Sequence, residues 1–371
     1  MTTAFTIFNA VRILVVAALA FFMALVIEPL WMRILKRYFA HGKEIEKKED
    51  TFWGPTPVFN ALHKRKEGTP TMGGFIVWFT VALVTLVFAG LHGWVDGFWS
   101  KVNFLSRSET YLPMAFLVVA GLVGMADDIA GIYKRRGFGL GARLMLFIVL
   151  ASAGGWWFVA KLGRDALNLP FFGDVTIGPV WYFLFFVFIM VATSFSLDIT
   201  DGLDGLSGGI FLSMFAALAA IAFDQGRMDL ATFIAAIAGA LVAFLWFNIY
   251  PARFFMGDTC VMALGFVAGS TALLLNVPLL LPLIAVIPLV EAMSVIIQTV
   301  SKKTRHKKVF ISTPIHHTFE ALGWPETQIT MRFWMINALG AIMGLAVFLA
   351  DSKIPPLNPQ VIGDLFRTIV H

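Results

Sequence analysis

Long apolar runs separated by short charged clusters make up most of the chain. A helix needs roughly 20 mostly apolar residues to cross a bilayer. Ten runs approach or reach that length: about 11–32, 72–92, 112–132, 139–160, 180–199, 207–224, 230–250, 259–276, 278–300 and 329–350. Runs eight and nine meet at a very short turn, Asn276-Val277-Pro278. The first run holds Ala18-Leu19-Ala20, a match to a leader cleavage site, but stays apolar to Trp31, so it is predicted as an uncleaved span. Residues 93–111 carry Trp94, Trp99 and Phe104 and suit an interfacial segment, while 164–179 (RDALNLPFFGDVTIGP) read as a short hairpin or turn on the membrane surface. No internal repeat or soluble insert interrupts the series. The predicted fold is an all-α polytopic membrane protein of about ten transmembrane helices, with residues 1–371 as a single membrane domain.

Composition narrows the class. The chain is 58% apolar and 14% charged, with a mean hydropathy of +0.81. Soluble domains are about 45–50% apolar and about 25% charged. An aqueous enzyme is excluded, as are disordered, collagen-like and disulfide-framework chains. The lone Cys260 has no internal partner. The net charge of +5 gains meaning once mapped: 20 of the 28 Lys and Arg residues fall in the loops and helix ends after odd-numbered runs. Those loops are predicted to be cytoplasmic and both termini to lie outside. A basic cytoplasmic face attracts anionic lipids and substrates, and no nucleic acid is implied.

The ionisable residues near span ends share one face. Asp127-Asp128 ends run three, and Asp198, Asp201 and Asp204 close run five and its following loop. Asp258 precedes run eight, and His316-His317 follow run nine. Adjacent carboxylates repel, so Asp127-Asp128 is either a solvated helix end beside Lys134 and Arg135 or part of a site for a hard cation such as Mg²⁺. Asp201-Gly-Leu-Asp204-Gly combines two carboxylates with glycines that permit close backbone approach, and with Asp198 the three carboxylates exceed what an N-cap requires. In Phe254-Phe255-Met256-Gly257-Asp258 a phenyl ring at an aqueous rim either stacks on a base or anchors the next span. Lys66-Glu-Gly-Thr69-Pro-Thr71-Met-Gly-Gly is either an anion cradle or an ordinary helix entry. The histidine pair amid basic residues fits phosphate contact better than zinc. Glu291 lies inside run nine. An intramembrane carboxylate is by default functional, and the structural alternative, preferred here, is that it satisfies amides freed by a helix break near Pro288.

Carboxylates for Mg²⁺, a diphosphate held by that ion, and basic groups at a lipid boundary suit joining a nucleoside diphosphate to a lipid phosphate. At these residues the chain resembles the bacterial phospho-N-acetylmuramoyl-pentapeptide transferase family, MraY. The matching segments are KEGTPTMGG at 66–74, GLVGMADD at 121–128, ITDGLDGLSGG at 199–209, FLWFNIYPARFFMGD at 244–258 and STPIHHTFE at 312–320. The resemblance implies transfer of phospho-MurNAc-pentapeptide from UDP-MurNAc-pentapeptide to undecaprenyl phosphate, giving lipid I and UMP in peptidoglycan biosynthesis. It implies a cleft on the cytoplasmic face of the bacterial inner membrane, a Mg²⁺ requirement and a homodimer. Asp258 is then the main Mg²⁺ ligand with Asp127 and Asp128 beside it, and these three form the catalytic set. Lys66, Thr71, Asp198, Asp201, Asp204, Phe255, His316 and His317 line the substrate pocket, with Phe255 on uracil.

Three positions depart from the family pattern. Phe195 and Asp198 stand where asparagine is usual, and Thr318 stands where a third histidine is expected. An amide donates and accepts hydrogen bonds, whereas an ionised Asp only accepts. The alternatives are therefore a sister transferase using UDP-GlcNAc or another UDP-sugar, and a binding-only paralogue. A transporter is a further alternative, but it usually places charges near the midplane in two related halves.

Overall fold

The computed structural model describes residues 3–39, 68–94, 102–133 and 137–353. Twelve α-helices and one small hairpin account for most of them. They run α1 (Thr3–Tyr38), α2 (Phe75–Trp94), α3 (Tyr111–Tyr133), α4 (Leu140–Leu162), β1 (Ala166–Leu169), β2 (Gly173–Thr176), α5 (Pro179–Thr200) and α6 (Leu206–Asp224). Then follow α7 (Met228–Asn248), α8 (Asp258–Leu274), α9 (Leu281–Ile284), α10 (Val286–Arg305), α11 (Ile315–Ala321) and α12 (Glu326–Lys353).

Seven of these helices are long and apolar enough to cross a membrane: α1, α3, α4, α5, α6, α7 and α12. The bent pair α9–α10 makes eight if taken as one span. The two other predicted runs are apolar helices as well: α2, 20 residues from Phe75 to Trp94, and α8, 17 residues from Asp258 to Leu274. Every predicted run is thus helical, and α8 falls a turn short of a full span. The chain is a multi-pass membrane protein with an all-helical body. The predicted surface hairpin is present: β1 and β2 pair antiparallel, Ala166 opposite Thr176 and Leu169 opposite Gly173.

Burial sorts the helices into two classes. Every residue of α8 is buried, so it has no polar face and needs none. It packs chiefly against α3 and α5, which with α2 and α6 enclose it. α1, by contrast, turns Leu14, Phe22 and Val26 outward along its length, as a helix facing lipid would. α1 lies on α7, and α12 lies on α6.

The ninth run is not one straight helix. The chain bends by 88° between Ile284 and Val286. The break falls at Ala285, three residues before Pro288, because Pro288 sits comfortably within the first turn of α10. Asn337 of α12 serves the broken ends. Its Oδ1 accepts the Ile287 amide at 3.2 Å and its Nδ2 donates to the Ile284 carbonyl at 3.3 Å. The predicted role of Glu291 in capping this break therefore belongs to Asn337.

Candidate functional site

Small residues set the site's geometry first. A Cβ on Gly124 would lie 2.1 Å from the Asp258 carbonyl oxygen. Only a glycine lets α3 touch the first turn of α8, and this contact sets Asp127 and Asp128 beside Asp258. On the next strand of chain, Gly73 leaves room for the Phe254 ring and Gly74 for the Cys260 Cβ, each within 2.1 Å of where a methyl would stand. Residues 70–74 therefore lie flat against 254–256. Three backbone bonds fasten them: Phe255 N to Pro70 O at 2.9 Å, Gly73 N to Phe255 O at 2.8 Å and Gly74 N to Met256 O at 2.9 Å. The pairing separates the two aromatics. Phe254 is buried against Phe244 and Phe247, while Phe255 remains half-exposed.

At the centre of the site stands a residue that the sequence reading counted only as a loop charge. Arg143, in the first turn of α4, reaches three carboxylates from three other helices. Its Nε lies 2.7 Å from Asp127, one terminal nitrogen 3.1 Å from Asp198 and the other 2.6 Å from Asp258. The Asp127 side chain is fully buried, and those of Asp198 and Asp258 are 14% and 12% exposed. A planar fork of five donors suits such a junction better than a lysine point charge. The turn before α4 also cups Asp127, which accepts the Phe138 amide. A positive charge one turn inside an apolar helix was the available signal, since such a charge needs a partner.

Asp128 faces the other way. Its Oδ2 accepts the Thr259 amide at 2.9 Å and its Oδ1 the Thr71 hydroxyl at 3.3 Å. Asp201 braces the turn before α8, with Oδ2 accepting the Gly257 amide at 3.2 Å and Oδ1 the Ser207 hydroxyl at 2.7 Å. Asp204 accepts the Ala252 amide at 3.0 Å. The structure thus brings Thr71, Asp127, Asp128, Asp198, Asp201 and Asp258 into one connected network, with Asp204 and Phe255 on its border. Lys66 lies outside the described residues.

The histidine pair forms a second, adjoining unit. Glu291 Oε1 lies 3.0 Å from His316 Nδ1, His316 Nε2 lies 3.2 Å from His317 Nε2, and His317 Nδ1 lies 2.6 Å from Glu320 Oε2. Glu291 also accepts the Ile315 amide at 2.8 Å, so it anchors the start of α11. Gly202 admits the pair to the aspartate loop, since its Cβ would fall 2.2 Å from His316 Nε2. Thr318, at the expected third-histidine position, bonds Ser312 across the turn before α11. Glu320 was not foreseen; its place three residues after His317 on a helix was the signal.

Chemically, the cluster fits a hard divalent cation. Its donors are carboxylate oxygens, the ligand type Mg²⁺ takes alongside substrate phosphates. Three of them already converge on a single positive group. Among the described residues, no three His, Cys, Asp or Glu side chains form a ready metal cage. The guanidinium of Arg143 is the cation that joins them.

Residues 111–276 match the glycosyl transferase family 4 model, a segment that contains Arg143 and all of the site aspartates. The chain is 34% identical over 332 residues to the phospho-N-acetylmuramoyl-pentapeptide-transferase of Geobacillus sp. (strain WCH70), covering 89% of this chain and 95% of that one. It is 36% identical over 347 residues to the protein of the same name from Desulforudis audaxviator (strain MP104C), covering 91% and 98%. A Clostridium perfringens (strain 13 / Type A) protein of that name is 35% identical over 286 residues, covering 76% and 86%. Likeness at this level over nearly the whole length, with the aspartate-bearing segment inside the family match, makes this chain a member of the phospho-N-acetylmuramoyl-pentapeptide-transferase family.

Proposed function

We propose that the chain transfers phospho-MurNAc-pentapeptide from UDP-MurNAc-pentapeptide to undecaprenyl phosphate, releasing UMP and forming lipid I. The observation that carries this reading is the convergence of Asp127, Asp198 and Asp258 on one cation at one end of the helical body. Phosphoryl transfer needs mainly positioning and charge stabilisation, and this junction offers both. Asp258 and Asp127 would hold Mg²⁺, with Asp128 fixing the turn beside them. When bound, the ion would neutralise charge on the diphosphate and the departing UMP.

The remaining work falls to the chain's own groups. An oxygen of the lipid phosphate forms the new bond to the phosphorus attached to the sugar, and the bond from that phosphorus to the UMP oxygen breaks. The attacking monoester is already largely ionised near neutral pH, so no side chain need remove a proton. Arg143 keeps three carboxylates from repelling the incoming phosphates. Asp201 and Asp204 hold the loops that border the pocket, and the half-exposed Phe255 offers a ring to uracil. Thr71 lines the same rim. His316 and His317 meet substrate at its edge. The basic loops after the odd-numbered runs support a cytoplasmic site in the inner membrane, with both termini outside.

The test is UMP release by the purified protein in detergent with undecaprenyl phosphate and Mg²⁺. UDP-MurNAc-pentapeptide and UDP-GlcNAc are compared, with Asp258→Asn as control. Release from the muramoyl substrate alone, lost in the control and on chelation of Mg²⁺, is expected. Release from UDP-GlcNAc alone would transfer the chain to a sister reaction. Binding without release would identify a non-catalytic paralogue.

A further inference from the structure

A second polar site lies at the opposite ends of the helices that build the first. α3, α4 and α8 carry Asp127, Arg143 and Asp258 near one end. At their other ends Glu109 precedes α3, Arg164 follows α4, and Leu274 closes α8. The 23 residues of α3 cover about 35 Å at 1.5 Å per residue, close to the hydrocarbon thickness of a bilayer. A cavity of about 440 Å³ opens there, lined by Ser108, Glu109, Arg164, Gln225 and Arg227 over an apolar floor.

Among the described residues that line it, two guanidiniums face one carboxylate. Neither the Arg164 nor the Arg227 guanidinium makes a hydrogen bond or ion pair with a described residue. Both side chains are half-buried. Glu109 spends one oxygen on the Leu230 amide at 3.3 Å. Asp229 pairs with Arg12 at 3.1 Å. Asp224 is exposed and, like Asp165, does not line the cavity. Burial, and after it the positive charge of Arg164, push the Arg227 pKa down, and the Glu109 carboxylate opposes them only in part. Two half-buried guanidiniums held in mutual repulsion are costly unless an anion sits between them. Their planar forks suit the oxygens of a phosphate. Lys161 lies 6.0 Å from the ring of Trp156 near the end of α4, a pairing typical of headgroup depth.

We propose that Arg164 and Arg227 form a binding site for a phosphate-type oxyanion on the membrane face opposite the carboxylate cluster. The anion is either a phospholipid headgroup or soluble phosphate. This site is independent of the transfer reaction.

The test follows thermal unfolding of the full chain in neutral detergent by tryptophan fluorescence. One arm titrates sodium phosphate against sodium chloride at matched ionic strength. A second titrates phosphatidylglycerol against phosphatidylcholine in mixed micelles. A saturable upward shift is expected in at least one arm. The R164Q/R227Q double variant should raise its midpoint concentration at least tenfold, and Glu109→Gln should lower the midpoint. A shift with phosphate assigns soluble anion; a shift with phosphatidylglycerol alone assigns a headgroup. No saturable shift in either arm, or an unchanged midpoint in the double variant, overturns the site. Should the double variant fail to fold, Glu109→Gln decides: a midpoint that does not fall refutes the proposal.

Discussion

Replacing Arg143 with methionine removes the cation that joins three carboxylates while keeping an unbranched side chain in the first turn of α4. The three contacts run from 2.6 to 3.1 Å, and the Arg143 side chain is only 16% exposed. Breaking a buried ion pair from one side costs about 3–5 kcal/mol, because the surviving charges lose their partner. Unfolding entropy near 2.1 cal/mol/K per residue gives about 0.8 kcal/mol per kelvin for 371 residues. The midpoint of thermal unfolding in chelator should therefore fall by about 4–6 °C. Arg143→Lys should fall between, since a single ammonium cannot reach all three acids. Pairing Arg143→Met with Asp198→Asn should recover part of the loss, because one of the stranded charges is gone. Added Mg²⁺ should raise the midpoint more in Arg143→Met than in the native protein. A fall below about 1 °C, or no recovery in the double variant, would sink the idea that Arg143 holds the cluster together.

Other perturbations test the surrounding frame. Gly124→Ala should cost about 1–3 kcal/mol and suppress UMP release, since its methyl meets the Asp258 carbonyl at 2.1 Å; thermal unfolding and turnover report both. Glu291→Gln should accelerate amide hydrogen exchange over 315–320 at least tenfold without altering exchange in α8, because the carboxylate anchors both Ile315 and His316. Asn337→Leu leaves two backbone groups at the 88° bend without their partner and should cost about 1–3 kcal/mol for each, read as a lowered unfolding midpoint. Burial pushes the Glu109 carboxyl above its ordinary 4.5, with the Leu230 amide opposing in part. A raised pKa in the folded state gives stability that is full at low pH and lost as pH rises through that pKa. Glu109→Gln should flatten this decline above pH 4.5 in a midpoint-versus-pH series, and an unchanged slope would contradict it.

The apolar runs made the helices legible, because each had to be long and nearly charge-free to cross lipid. Most ends held to within a few residues, although the first helix runs Thr3–Tyr38, well past both ends of its apolar run, and the hairpin between Ala166 and Thr176 followed from its turn residues. The bend in the ninth run was legible as a break but misplaced. Proline is visible in a sequence, whereas the Asn337 amide that bridges the broken ends comes from a helix about fifty residues later. The acidic residues were singled out correctly as neighbours, but their shared partner was not. Arg143 is one of many basic residues near span ends, and only the approach of α4 to α3, α5 and α8 gives it its place. Asp198, which departs from the usual asparagine by only accepting hydrogen bonds, finds its donor in Arg143. Phe254 and Phe255 are indistinguishable by type, and the pairing of 70–74 with 254–256, with room at Gly73, decides which ring is buried.

The complete enclosure of α8 also bears on how the protein is made. A 17-residue helix that opens on an aspartate and carries Thr259, Ser270 and Thr271 is a poor solitary passenger through an insertion channel. Its enclosing neighbours α2, α3, α5 and α6 all precede it in the chain. They are synthesised first. The residue that begins α8, Asp258, thus reaches its neighbours only when the ribosome has delivered two-thirds of the polypeptide, and assembly of the site is a late event of biogenesis.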